Sequence, residues 1–190
     1  MTTAVFDLAA LTLGHPVVSA KGGKSIPLSY TGRPVVWMPD AQRIAFEPSS
    51  FGAENTSRVN LVMNASIKAL EQLTALDERI LQLAVEESVK IFGRPLPYEE
   101  ARSRYVTCLK QSAKGYEPTW KTKLNISGKD PVGVWDTDRK RRNPPASWAK
   151  ATVWPQVTLK SLWFMGNQFG CLFETNNLLV EDAAPQGCPF

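Results

Sequence analysis

The chain has one histidine, His15, in 190 residues. Set between Gly14 and Pro16, it reads as a turn residue, and its solitude excludes histidine-based metal sites and most catalytic triads. Cysteine is almost as sparse. Cys108, Cys171 and Cys188 are odd in number and far apart, which fits neither a disulfide framework nor a zinc site and implies a reducing, intracellular setting. No apolar run approaches the ~18 residues of a membrane-spanning helix. The start, Met1-Thr-Thr-Ala-Val-Phe-Asp-Leu8, lacks a basic segment before an apolar stretch, so secretion through a signal peptide is not expected. Repeats and low-complexity tracts are missing too.

Composition is that of an ordinary folded chain, 43% hydrophobic and 21% charged. The length suits one core with an elaboration. Charge is spread unevenly. Lys and Arg against Asp and Glu number 9 to 11 in residues 1–101, 12 to 4 in 102–150, and 1 to 3 in 151–190, so the net +4 comes from a basic middle. A field concentrated in that way suits a polyanion, whose phosphates release counterions when neutralised. A solvated basic face is the plainer account.

Short runs bounded by Gly and Pro predict strands at Pro16–Ser19, Ile26–Tyr30, Pro34–Met38 and Arg58–Met63. From Ser66 to Phe92 apolar residues recur at three- and four-residue steps, predicting an amphipathic helix, or two with a break near Thr74, stopped by Gly93 and Pro95. A further helix is predicted from Pro97 to about Lys110, with Glu99 and Glu100 in its first turn. Residues 111–151 lose periodicity and gain Gly, Pro, Lys, Arg and Trp, with Leu124–Ile126 and Val132–Trp135 as short strand candidates. The end reads as a β-hairpin: Val153–Phe164, a Gly166-Asn167 turn, then Phe169–Phe173 and Leu178–Val180.

Catalytic constellations are weak. Gly22-Gly-Lys-Ser25 looks like the end of a phosphate loop, but the glycine required five residues before Gly23 is Val18, and Pro27 opens a β-like run where a helix should follow. Asp77-Glu78, Glu86-Glu87 and Glu99-Glu100 fit helix ends and solvated faces. Asp130, Asp136 and Asp138 could serve a nuclease metal, though nearby ligands to complete the set are wanting.

The remaining pattern interleaves aromatic and basic side chains: Lys114, Tyr116, Trp120, Lys121, Lys123, Arg139, Lys140, Arg141, Arg142, Trp148 and Lys150. Unpaired bases stack on rings while phosphates follow positive grooves, so single-stranded nucleic acid calls for both types together. Trp120 and Trp148, next to lysines in Pro-rich sequence, are expected to be exposed for stacking. Trp135 and Trp154 fit core or site equally, and Trp163, between Leu162 and Phe164, fits the core.

Several segments together resemble the OB-fold single-stranded-DNA-binding proteins of large nucleocytoplasmic DNA viruses. They are Gly22–Tyr30, Pro39, Phe51-Gly52, Leu76–Ile80, Tyr105, Lys110–Lys123 and Leu162–Gly170, in that order. The resemblance implies a mixed α+β fold: an OB-type β-barrel with two or three inserted helices and a basic, Pro/Trp-rich loop region. It would form a single domain over residues 1–181, with the helical insertion at about 66–110 and a C-terminal tail at 182–190. It implies sequence-tolerant binding of single-stranded DNA, or RNA, in viral replication, repair or recombination, without catalysis or cofactor. The setting would be host cytoplasm or nucleus at sites of viral DNA synthesis, or the virion, with oligomers allowed. The tail, closing on Pro189-Phe190, could offer a replication protein an aromatic carboxylate. The alternative is a virion structural or interaction protein whose basic loop contacts genome or an acidic partner.

Overall fold

The computed structural model describes residues 6–50, 57–128 and 130–183. Alternating side chains and turn residues first give β1 (Leu11–Leu13), β2 (Val17–Val18), β3 (Lys24–Tyr30), β4 (Val35–Trp37), β5 (Gln42–Ile44) and β6 (Arg58–Asn64). Three helices follow, α1 (Ile67–Glu86), α2 (Ser88–Phe92) and α3 (Tyr98–Arg104). The chain then returns to strand with β7 (Tyr105–Val106), β8 (Leu109–Lys110), β9 (Thr119–Asn125), β10 (Gly133–Trp135), β11 (Thr152–Met165) and β12 (Gln168–Glu181). The described residues thus form a mixed α/β fold with one large sheet.

Within that sheet five strands pair in a closed circuit: β5 with β6, β6 with β9, β9 with β12, β12 with β11, and β11 back to β5. Four of the pairings are antiparallel and β9–β12 is parallel. The run β11-β5-β6-β9 has Greek-key order, the fourth strand returning beside the first. The hairpin of β11 and β12 is as predicted, and Gly166 takes a φ of +57° at the first turn position, where a side chain would be strained.

Inward residues of the circuit interlock around aromatics. Trp37 lies 5.1 Å from Trp120 and 6.2 Å from Phe173 between ring centroids. Each such ring buries on the order of 150–250 Å². α1 starts on Ser66, whose hydroxyl accepts from the Ala69 N–H at 3.1 Å, and buries Leu73, Leu76, Ile80 and Leu83. No break occurs at Thr74, because its hydroxyl donates back to the Leu70 carbonyl at 2.8 Å and is satisfied within the helix. The interruption falls at Glu87 instead.

The helix predicted to reach Lys110 ends at Arg104. Tyr105 and Val106, an aromatic and a β-branched residue, pair instead with Phe169 and Gly170 of β12. The Tyr105 hydroxyl donates to buried Asp77 at 2.7 Å, and the Cys108 N–H also reaches that carboxylate, at 3.1 Å. Burial pushes the Asp77 carboxyl upward, and those donors from Cys108 and Tyr105 oppose it. The residues placed with least regularity by sequence, 111–151, hold two strands. The C-terminal tail beyond residue 183, with Cys188 and Phe190, and the segment containing Phe51-Gly52 lie outside the described residues.

Candidate nucleic-acid interface

β9 reads Thr-Trp-Lys-Thr-Lys-Leu-Asn, and its period of two sorts these side chains cleanly. Trp120, Thr122 and Leu124 are buried inside the circuit, while Lys121 and Lys123 stand on the outer face. Beside it β6 buries Val59, Leu61 and Met63 and turns Arg58, Asn60 and Val62 outward. The register sets Asn60 opposite Lys123 and Val62 opposite Lys121, with Arg58 one step along from Asn60. Arg58 is therefore diagonal to Lys123, roughly 7–8 Å away at Cβ, and Lys121 is the next residue of β9 on that face, so Arg58 and Lys121 flank Lys123 in a cluster of positive charge.

That crowding is visible in Lys123. Burial lowers its ammonium pKa, and Arg58 and Lys121 lower it further. The local counter-charge is Glu174 on β12, bonded to Arg58 at 2.8 Å and 3.9 Å from Lys160. Glu174 thus holds Arg58 and Lys160, and among the described residues Lys121 and Lys123 have no ion pair. An arriving phosphate would relieve the repulsion.

The remaining residues singled out by sequence, and Lys110 beside them, lie in two loops, on β8 and at the entry to β11. Lys114 and Tyr116 lie in the loop between β8 and β9, and Tyr116 is 71% exposed, free to stack. Lys110 on β8 is exposed and pairs with Thr119, extending the basic face. Arg139, Lys140 and Arg141 are exposed in a turn after β10, whereas Arg142 is half-buried and bonded to Asp182 at 2.9 Å. Asp136 closes that turn by accepting from the Lys140 N–H at 2.8 Å. Lys150, also exposed, lies in the segment that enters β11 and donates its backbone N–H to Ile44 of β5. Among the described residues no group of three His, Cys, Asp or Glu is arranged to hold a metal ion.

Both tryptophans expected to be exposed are buried. Trp120 is 1% accessible, its indole N–H donating to Gln42 at 3.2 Å inside the core. Its neighbouring lysines are exposed because they alternate with it, not because the segment is a loop. Trp148 is 8% accessible. Its backbone N–H, with that of Ala149 and the Ser147 hydroxyl, converges on the Glu47 carboxylate at 2.6–3.1 Å. Neither ring can receive a base in this conformation.

These three donors, Ser147 foremost, hold the Glu47 carboxyl below its ordinary range. A lowered folded-state pKa contributes stability above the unfolded carboxylate pKa and loses it as pH falls through the folded value. Glu47→Ala should therefore lower the melting temperature at pH 7, by about 1–3 °C because the carboxylate is exposed and screened. The difference should vanish in acid below the folded-state pKa. Thermal melts across pH test this, and a deficit that persists in acid would make the contact unimportant.

Arg58, Asn60 and Lys110 belong to this face and escaped the sequence reading. The outward half of the alternating run Arg58–Asn64 carried the signal.

No protein-family model matches the chain, and no curated protein does. Solved structures do. The single-stranded DNA-binding protein from bacteriophage Enc34, in complex with single-stranded DNA, superposes with a TM-score of 0.52 at 11% identity over 91% of this chain and 98% of that one. The gp2.5 single-stranded DNA-binding protein encoded by bacteriophage T7 gives 0.54 at 14% identity over 81% and 95%. At such identities the likeness is one of fold. Both come from bacteriophages rather than large nucleocytoplasmic DNA viruses.

Proposed function

We propose that this chain binds single-stranded DNA without catalysis, along the outer face of β6 and β9 on an OB-type β-barrel, during replication, repair or recombination of a viral genome. The closed five-stranded circuit with Greek-key order supports the barrel, and in that architecture the face of the second and third strands takes oligonucleotides. Counted round the circuit, those strands are β6 and β9. The observation that carries the reading is the cluster of Arg58, Lys121 and Lys123 on that face, served by one carboxylate. The fold shared with a protein solved on single-stranded DNA adds support.

Phosphate contacts carry no sequence information and stacking accepts any base, so affinity is expected to vary little among sequences. Labelled oligo-dT, oligo-U and duplex DNA, titrated at 50 and 200 mM salt, test the function. Expected is binding to single strands above duplex, weakening steeply with salt at about 0.7 in log K per log salt for each phosphate engaged. Equal affinity for duplex, or no salt dependence, would overturn it.

A further inference from the structure

β9 and β10 both lie parallel to β12 on the same edge, one after the other: Lys123 pairs with Glu174, and Trp135 with Leu179. The outward line of Lys121 and Lys123 therefore runs on toward Trp135, roughly 15 Å further at the rise of a strand. On the other side of β12, Leu179 pairs with Trp154 of β11. Arg141 bridges back to Trp135. Trp135, Leu179 and Trp154 are all half-buried, while the residues preceding them, Val134, Leu178 and Val153, are buried. Arg141, Trp135, Leu179 and Trp154 thus form one row across three strands and a turn.

The geometry of Trp135 is specific. A Cβ at Gly133, two residues earlier on the same face, would come within 2.9 Å of the Trp135 Nε1 and 2.3 Å of the Asn177 Oδ1. Glycine there lets the indole fold back along its own strand, close against the sheet. The ring is fixed by its N–H, which donates to the Asn177 Oδ1 at 3.1 Å, and Asn177 in turn donates to Gln156 at 2.7 Å. A ring held at one edge and partly open to solvent pays little entropy when a second ring stacks on it.

We propose that Trp135, with Trp154 and Leu179 beside it and Arg141 at its margin, is the stacking platform for an unpaired base of the strand whose phosphates engage Lys121 and Lys123. This rests on the single-strand-binding reading and names where its aromatic component lies once Trp120 and Trp148 are in the core. Charge favours nucleic acid over an apolar partner. The turn from Asp136 to Arg142 holds four cations and two carboxylates, and of these cations Arg142 is engaged with Asp182.

The test compares the parent with Trp135→Ala, first confirming that the parent binds oligo-dT. Loss of stacking should weaken binding roughly 5- to 100-fold and leave the salt slope unchanged, because no phosphate contact is removed. Short oligonucleotides spanning only the lysines should bind both proteins alike. If the alanine variant melts several degrees lower, Trp135→Phe and Trp135→Leu replace it. Phenylalanine binding well and leucine poorly supports the platform, and equal binding overturns it. Affinity for long oligonucleotides within twofold of the parent makes the row a cover for its glycine or a protein contact, and overturns the platform alone. A parent that binds no single strand overturns the function and the platform together.

Discussion

Lys121→Gln combined with Lys123→Gln should weaken oligo-dT binding at 0.1 M salt by about 25-fold. Each phosphate contact on a single strand contributes about 0.7 to the slope of log K against log salt. At 0.1 M that is about 0.7 of a decade per contact, and two contacts give the stated loss. The slope itself should fall by about 1.4. Folding should be untouched or slightly improved. Lys121 is exposed, and burial together with Arg58 and Lys121 already disfavours the charged form of Lys123. A folded-state pKa lowered in this way costs stability at neutral pH and relieves that cost as pH rises through it. Glutamine keeps much of the side chain and removes the charge. Salt titrations of parent and variant decide the matter, with melting curves alongside. Two parallel lines of log K would show that the lysines contact no phosphate, and would move the interface off the face of β6 and β9.

Much of the fold was legible because its strongest signals are local. The hairpin of β11 and β12 announces itself by apolar alternation on both sides of Gly166-Asn167. α1 is announced by the spacing of Leu73, Leu76, Ile80 and Leu83, which meet on one buried face. What sequence missed depends on distant partners. The stretch Tyr105-Val106 follows a charged, helix-compatible segment. It becomes strand because Phe169 and Gly170, over sixty positions later, offer an edge. β5 is three residues long and is recognisable only beside β6 and β11.

The site shows the same division. The positive charge of the middle segment was plain, and Lys121 and Lys123, named as candidate nucleic-acid contacts, stand on the outer face of β9. The error lay in grouping each tryptophan with the lysines next to it. In a strand, adjacent residues face opposite ways, so Lys121 being wet is itself a sign that Trp120 is dry. Thr122, buried between Trp120 and Leu124, masks the alternation. It is accommodated because the Thr175 hydroxyl donates to it at 3.1 Å. Arg58 was overlooked because nothing in sequence ties it to Lys123, which is separated from it by three helices and reaches it only through pairing of β6 with β9.

Trp120→Ala should destabilise the protein by about 3–5 kcal/mol, which for a chain of this size lowers the melting temperature by about 6–20 °C. Trp120 is among the largest fully buried side chains and stands between Trp37 at 5.1 Å and Phe173 at 5.9 Å between ring centroids. Truncation opens a cavity among rigid rings that cannot collapse into it. It also removes one of the two donors to the Oε1 of Gln42, the Ser66 N–H being the other, in a buried side chain whose amide nitrogen bonds Asp40 and the Ser66 hydroxyl that caps α1. Trp120→Phe should cost less, since it keeps most of the ring and loses only the hydrogen bond and part of the volume. Measured well below its melting point, Trp120→Ala should bind oligo-dT within two- to threefold of the parent. Tyr116→Ala, at an exposed ring on the approach to β9, should instead melt like the parent and bind more weakly. Paired melting curves and binding isotherms separate the two. A Trp120→Ala variant that melts with the parent and loses affinity would return that ring to the interface and displace the β9 register on which the site is built.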